Sequence, residues 1–231
     1  MHTGQHIRTD AGSTWFFDAG RIALDFAHTG GFADDAAGRR PRSQLGELLA
    51  SPADLDEWLS EHTEPIDVGA SARELQDARA LRAAIARLAV AAAPAPASTA
   101  ADRTAVAAGL RAGAGRTRPA PDDIDTVNLF AALPDVPPSL PGGRRRAGAN
   151  RVRLAQALSS VARDAVALFT EVGFDDVEAD GRPTRLSRCS ADDCGLVFYD
   201  SSRGGTRRWC SMQRCGNRAK VRAHRARRSA A

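Results

Sequence analysis

A chain of 231 residues has room for one medium domain with a small one beside it, and for a core that needs no disulfides. Its 43% hydrophobic and 26% charged residues are ordinary for a soluble globular protein, and the longest apolar stretch, from Ala83 to Ala97, is broken by Arg87, Pro94 and Pro96, short of the roughly 18 clean residues of a spanning helix. The net charge of +4 hides a split: residues 182–231 hold 13 basic and 3 acidic side chains, a net of +10, against −6 for the rest, the pattern of a polyanion-binding tail on an acidic body.

The N-terminal leader MHTGQHIRTDAG lacks the apolar run of a signal peptide, so the expected location is the cytoplasm, where thiols stay reduced. Thr14 to Gly31 is the densest apolar stretch of the first half, with Trp15, Phe16, Phe17, Ile22, Leu24 and Phe26 around Asp18-Ala19-Gly20. It reads as a short strand, a turn and a second element of strand or early-helix character. Ser51-Pro52 predicts a helix start, with the serine as N-cap, proline at the first helical position and acids in the first turn; Leu55, Trp58 and Leu59 share its apolar face. Ser71 with Glu74 forms a capping-box signature, and Leu75, Ala78, Leu81, Ile85, Leu88 and Ala89 carry the stripe of a second helix that stops before Pro94.

Ser98 to Ala112 reads as a weaker helix, Arg116 to Asp123 as a loop, and Asp125 to Leu133 as a short helix. Pro134 to Ala149 is too rich in proline and glycine for a helix, and its Arg144-Arg145-Arg146 run reads as solvated charge. The strongest periodicity runs from Asn150 to Val172, followed by Gly173 where a left-handed C-cap favours glycine. Phe174 to Thr184 is an acidic connection. The expected organisation is a mainly α N-terminal domain with short β elements over residues 1–178, then a small basic C-terminal domain over 186–231.

All four cysteines lie in that basic C-terminal part, as two C-x4-C pairs, Cys189/Cys194 and Cys210/Cys215, with fifteen residues between them. Paired pairs of this kind can place four thiolates around one tetrahedral ion, and zinc favours soft sulfur in closed structural sites. An iron–sulfur cluster is the next reading and a disulfide the last, since nothing here signals export. Between the pairs, Leu196 to Tyr199, a turn over Ser201 to Gly205 and a return over Thr206 to Trp209 read as a β-hairpin. Knuckle, hairpin and second pair leading into a helix is the order of a treble-clef finger. Gly195 and Gly216 are expected to let the backbone turn around the metal. A closed four-sulfur sphere leaves no open position for a catalytic water, and His224 reads as a surface residue. After Cys215, a helix that is cationic around most of its circumference gains more beside phosphates than in a protein core.

The residues Cys189-x4-Cys194-Gly195, Phe198-x-Asp200-x-Ser202 and Arg207-Arg208-Trp209-Cys210-Ser211-Met212-x2-Cys215-Gly216-Asn217-Arg218-x-Lys220 closely resemble the CGNR zinc finger, over about 40 residues. Ile22-Ala23-Leu24-Asp25-Phe26-Ala27-His28-Thr29 is similar to the L-A-L-D-F-x-N-T run of the ABATE domain, a stress-induced transcriptional regulator module that usually precedes this finger; His28 stands where the family generally has asparagine. The resemblance implies one zinc with the four cysteines as ligands and DNA as the partner.

The expectation is therefore a non-enzymatic, zinc-dependent DNA-binding transcription regulator. Its candidate DNA contacts are Arg207, Arg208, Arg218, Lys220, Arg222 and Arg225. The body would sense a ligand, with Asp25, His28 and Thr29 as the candidate pocket, or would mediate homodimer formation. The competing reading is a zinc-stabilised module for a protein or RNA partner. An enzyme is disfavoured, because no nucleophile elbow, phosphate loop or carboxylate–histidine metal motif accompanies Asp25 and His28.

Overall fold

The computed structural model describes residues 2–9, 12–30, 45–94, 117–138, 151–174, 184–191 and 194–229. The weak helix expected over Ser98 to Ala112 and the Arg144–Arg146 run lie outside them.

Among the described residues, the N-terminal body is two short strands and five helices around one apolar centre. Strands β1 (Gln5–Arg8) and β2 (Thr14–Phe17) pair antiparallel, with Ile7 opposite Trp15 and Gln5 opposite Phe17. They bury Ile7 and Phe17 and leave His6, Arg8 and Phe16 outside. Helix α1 (Ile22–Ala27) is buried at every position. Its N-cap residue, Arg21, supplies no cap; the Asp164 carboxylate does so from another helix, accepting from the Ala23 N–H at 3.0 Å while also holding the Arg21 guanidinium at 2.8 Å.

Helices α2 (Pro52–His62) and α3 (Ala72–Ala92) begin at the predicted caps, Ser51 and Ser71, and both caps are full capping boxes. The Asp54 N–H donates to Ser51 Oγ at 3.3 Å and the Ser51 N–H to Asp54 Oδ2 at 2.6 Å; Ser71 and Glu74 repeat the exchange at 3.2 and 2.8 Å. Helix α4 (Pro121–Ala131) starts four residues earlier than the expected Asp125, because Pro121 suits the first turn and Asp122 and Asp123 complement the positive helix end there. Arg87 then ties α3 to α4 through the Asp123 carboxylate, at 3.0 Å to each oxygen. Helix α5 (Leu154–Val172) begins later than Asn150, since Val152 is engaged in a parallel bridge with Ile66. It ends at Gly173, whose φ of 63° is the left-handed conformation expected there. No helix among the described residues is long and apolar enough to cross a membrane.

The C-terminal part runs β3 (Leu186–Arg188), β4 (Val197–Tyr199), a five-residue π-helical turn (Met212–Gly216) and helix α6 (Asn217–Ser229). The ladder differs from the expected hairpin: β4 pairs antiparallel with β3, with Ser187 opposite Phe198, and Thr206 to Trp209 is not a strand. The reason lies in Asp200, whose carboxylate accepts from the Ser202 N–H at 3.0 Å and the Arg207 N–H at 2.8 Å. The loop closes on a side chain instead of on a second ladder.

The finger strands are part of the body's core. Leu186, Val197 and Phe198 are fully buried in the same apolar cluster as Phe17, Phe26, Leu81 and Leu168. The joint is made by main chain: the Tyr199 N–H donates to the Ala19 carbonyl at 2.8 Å, covering the β4 edge that β3 leaves open. Gly20 sits directly against that strand with φ of 81°, and a Cβ there would lie 2.4 Å from the Tyr199 carbonyl oxygen. Both the φ and the space demand glycine. Replacing Gly20 by alanine is expected to cost at least about 2 kcal/mol, from left-handed backbone strain plus displacement of β4. For a chain of this size that lowers the midpoint of a thermal melt by about 4–8 °C, which circular dichroism will measure.

Candidate metal centre

The two knuckles are shaped by backbone bonds before any ion is considered. At the first, the Cys189 N–H donates to the Leu196 carbonyl at 2.9 Å and the Cys194 N–H to the Ala191 carbonyl at 3.0 Å, folding Cys194 back over Cys189. At the second, the Cys215 N–H donates to the Ser211 carbonyl at 3.0 Å and the Gly216 N–H to the same oxygen at 3.1 Å, the wide turn of a π-helix. Gly216 is needed for space rather than for backbone conformation: a Cβ there would meet the Met212 sulfur at 2.7 Å and Trp209 Cδ1 at 3.4 Å. Trp209, half-buried, thus closes the back of the second knuckle.

These turns bring all four Sγ atoms within 4.8 Å of one another, with all four cysteines buried. Two of the separations are 3.7 Å (Cys194–Cys210) and 3.4 Å (Cys210–Cys215). A tetrahedral zinc with sulfur at about 2.3 Å sets sulfur–sulfur edges of about 3.8 Å. The spacing fits that ion, whereas a disulfide brings its sulfurs to about 2.05 Å. The Arg218 guanidinium donates to Cys215 Sγ at 3.3 Å, a contact that favours the ligating thiolate. Cys189, Cys194, Cys210 and Cys215 form a structural zinc site that supplies folding energy and closes the coordination sphere.

The candidate pocket of the N-terminal run is placed differently from the expectation. Asp25, His28 and Thr29 are all 0% exposed, and each is committed to backbone. The Asp25 carboxylate accepts from the Gly4 N–H at 2.7 Å and the Ala19 N–H at 3.0 Å, pinning the start of β1 to the loop that meets β4. His28 Nε2 donates to the Val197 carbonyl at 2.7 Å, reaching across from body to finger, and Thr29 Oγ1 donates to the Phe26 carbonyl. Burial pulls the His28 imidazole down to about 4, so it stays neutral. The run is a joint between the two parts of the chain: the Asp25 carboxylate, His28 Nε2 and Thr29 Oγ1 each bond to backbone.

The candidate DNA contacts divide in two. Arg207 is used internally: its Nη2 donates to the Asp18 carbonyl at 2.9 Å and the Cys210 carbonyl at 2.7 Å, and its guanidinium lies 4.3 Å from the Phe198 ring centre. Arg218 Nη2 donates to Cys215 Sγ at 3.3 Å. Arg208, Lys220, Arg222 and Arg225 are exposed, the last three on α6. Two internal ties escaped the sequence reading: Arg188, which donates to the Val90 carbonyl, and Arg214, whose guanidinium lies 3.7 Å from the Trp15 ring centre. Each neighbours or lies inside a cysteine knuckle, which is the one signal that sets them apart from the other arginines of the tail.

Native mass spectrometry is expected to find one zinc per chain, lost on Cys215→Ser, because three sulfurs leave the sphere open and the core partly unpacked. A second test concerns Asp25, whose carboxyl burial pushes up to about 7 against its two backbone donors. The folded protein then holds this proton more tightly than the unfolded chain, so its contribution to stability falls as pH rises from about 4 to about 7. Comparing melting temperatures of the parent and Asp25→Asn from about pH 5 to about pH 7.5 will show the parent's relative advantage shrinking. A constant difference would contradict the raised carboxyl.

Comparison with known protein families finds two matches. Residues 185–228 match the CGNR zinc finger. Residues 20–172, more than half of the chain, match the family ABATE, described as "Putative stress-induced transcription regulator". No curated protein matches the chain. With a four-sulfur metal centre at one end and the buried joint at the other, the chain belongs to the ABATE family and carries a C-terminal CGNR zinc finger.

Proposed function

We propose that this zinc-binding regulator acts by gripping duplex DNA with α6, without enzymatic activity, while the N-terminal body supplies regulation by sensing a ligand or mediating association between copies. The observation that carries the reading is α6 itself. Its thirteen residues, Asn217–Ser229, contain no acid and no buried side chain, and they leave directly from the second zinc knuckle. A helix of this composition has nothing to gain from a protein core and much from a polyanion. At about 1.5 Å per residue it is about 20 Å long, and its width suits the roughly 12 Å major groove of B-DNA.

Arg208, Lys220, Arg222 and Arg225 are the contacts in this reading; Arg207 and Arg218 are spent inside the finger. The zinc site anchors the N-terminal end of α6, so the arginines project from a fixed base and lose less freedom on binding. The same composition would serve RNA less well, since base stacking needs exposed aromatics, and of the finger's three, Phe198 is buried in the core while Tyr199 and Trp209 are packed against it.

Neutralising four phosphates gives a slope of about −3 to −4 for log affinity against log salt, or roughly a hundredfold loss between 50 and 200 mM. Fluorescence anisotropy with a labelled duplex measures it directly. Arg222→Glu with Arg225→Glu should abolish binding and leave the zinc in place. A slope near zero, or wild-type affinity in the double variant, would overturn the reading.

A further inference from the structure

Four thiolates around one dication leave two net negative charges in a buried volume, since all four cysteines are 0–8% exposed. Charge in such a place must be offset by hydrogen bonds or by a nearby cation. Among the described residues, the Cys210 N–H approaches Cys189 Sγ at 3.4 Å. Of the arginines around the site, Arg207 reaches the Cys210 carbonyl and not a sulfur, and Arg214 lies over Trp15. Arg218 differs from both. It stands three residues after Cys215, on the first turn of α6, so helical spacing returns its side chain to the ligand's face. Its Nη2 donates to Cys215 Sγ at 3.3 Å, and the residue is half-buried while the rest of the cationic ridge is exposed.

We infer that Arg218 is a positioning residue of the zinc site: its guanidinium donates to the Cys215 sulfur, offsets the charge of the sphere and fixes the ligand's orientation. A physical meaning for the whole run Cys215-Gly216-Asn217-Arg218 follows. Cys215 ligates; Gly216 makes room for Met212 and Trp209; Asn217 Nδ2 donates to the Gln213 carbonyl at 3.3 Å, tying the π-helical turn to α6; Arg218 supports the sulfur. The assignment holds whether or not α6 meets DNA. It also separates two arginine types that composition cannot distinguish, one facing the metal and one facing solvent.

The test is zinc competition against a chromophoric chelator on the full chain, together with the cobalt-substituted spectrum. Arg218→Gln should weaken zinc binding by about 10–100-fold, and should move the sulfur-to-cobalt charge-transfer band to lower energy, because a sulfur relieved of its hydrogen bond is more electron-rich. Arg218→Lys should recover a large part of the affinity. Arg203→Gln removes the same charge from the exposed loop after β4 and should change neither reading. The DNA salt slope should be the same in Arg218→Gln as in the parent. Zinc affinity within about twofold of the parent in Arg218→Gln, with the cobalt band unmoved, would overturn the assignment. Should Arg218→Gln retain no metal at all, recovery of zinc in Arg218→Lys supports the role of the charge, and failure to recover it overturns that role.

Discussion

Four sulfurs from distant parts of the tail must occupy one small buried volume, and the rest of the finger is arranged around that demand. Cys194 and Cys210 are separated by fifteen residues, yet their sulfurs lie 3.7 Å apart. Without an ion, four thiolates so close would repel, and four thiols would bury polarity for little return. With zinc, the closure holds the first knuckle, the loop closed on Asp200 and the π-helical turn in register at once. Because Leu186, Val197 and Phe198 belong to the body's apolar cluster, the same closure determines what the N-terminal helices pack against.

The finger's basic residues fall into two groups. Arg188, Arg207, Arg214 and Arg218 point inward, to the Val90 carbonyl, the Asp18 and Cys210 carbonyls, the Trp15 ring and the Cys215 sulfur. These are joints between the metal site and the body, built from planar guanidinium forks that can satisfy several acceptors at once. Lys220, Arg222 and Arg225 instead project from α6 at the exposed surface. The inner joints and the exposed face of α6 are made largely from one residue type, so a change at any one arginine has to be assigned to a side before its effect is interpreted.

How far the sequence carries this account differs between levels. The zinc ligands, the starts of α2 and α3 and the end of α5 at Gly173 were all legible, because each rests on a local rule: ligand spacing, a serine with an acid three residues on, a glycine at a positive φ. Strand β1 was not, since Gln5–Arg8 carries one apolar residue, Ile7, and pairs only because β2 lies beside it. The partner of β4 was misread for a related reason. Thr206 to Trp209 has strand-like residues, but Asp200 takes the Arg207 N–H and Leu186–Arg188 supplies the ladder from upstream. Asp25 and His28 looked like ligand groups because polar side chains in an apolar run invite that reading; their partners, Gly4, Ala19 and Val197, are set by tertiary contact alone.

The central claim is that zinc site and N-terminal body form one cooperative unit, joined through Asp18 to Gly20, His28, Arg207 and β4. Differential scanning calorimetry of the full chain, with zinc bound and after removal by a strong chelator, tests it most directly. The account predicts a single transition that moves to lower temperature as a whole when the metal is stripped, since the body loses part of its own core with the finger. A body transition that keeps its midpoint and enthalpy after zinc removal, with only a small separate transition lost, would contradict it.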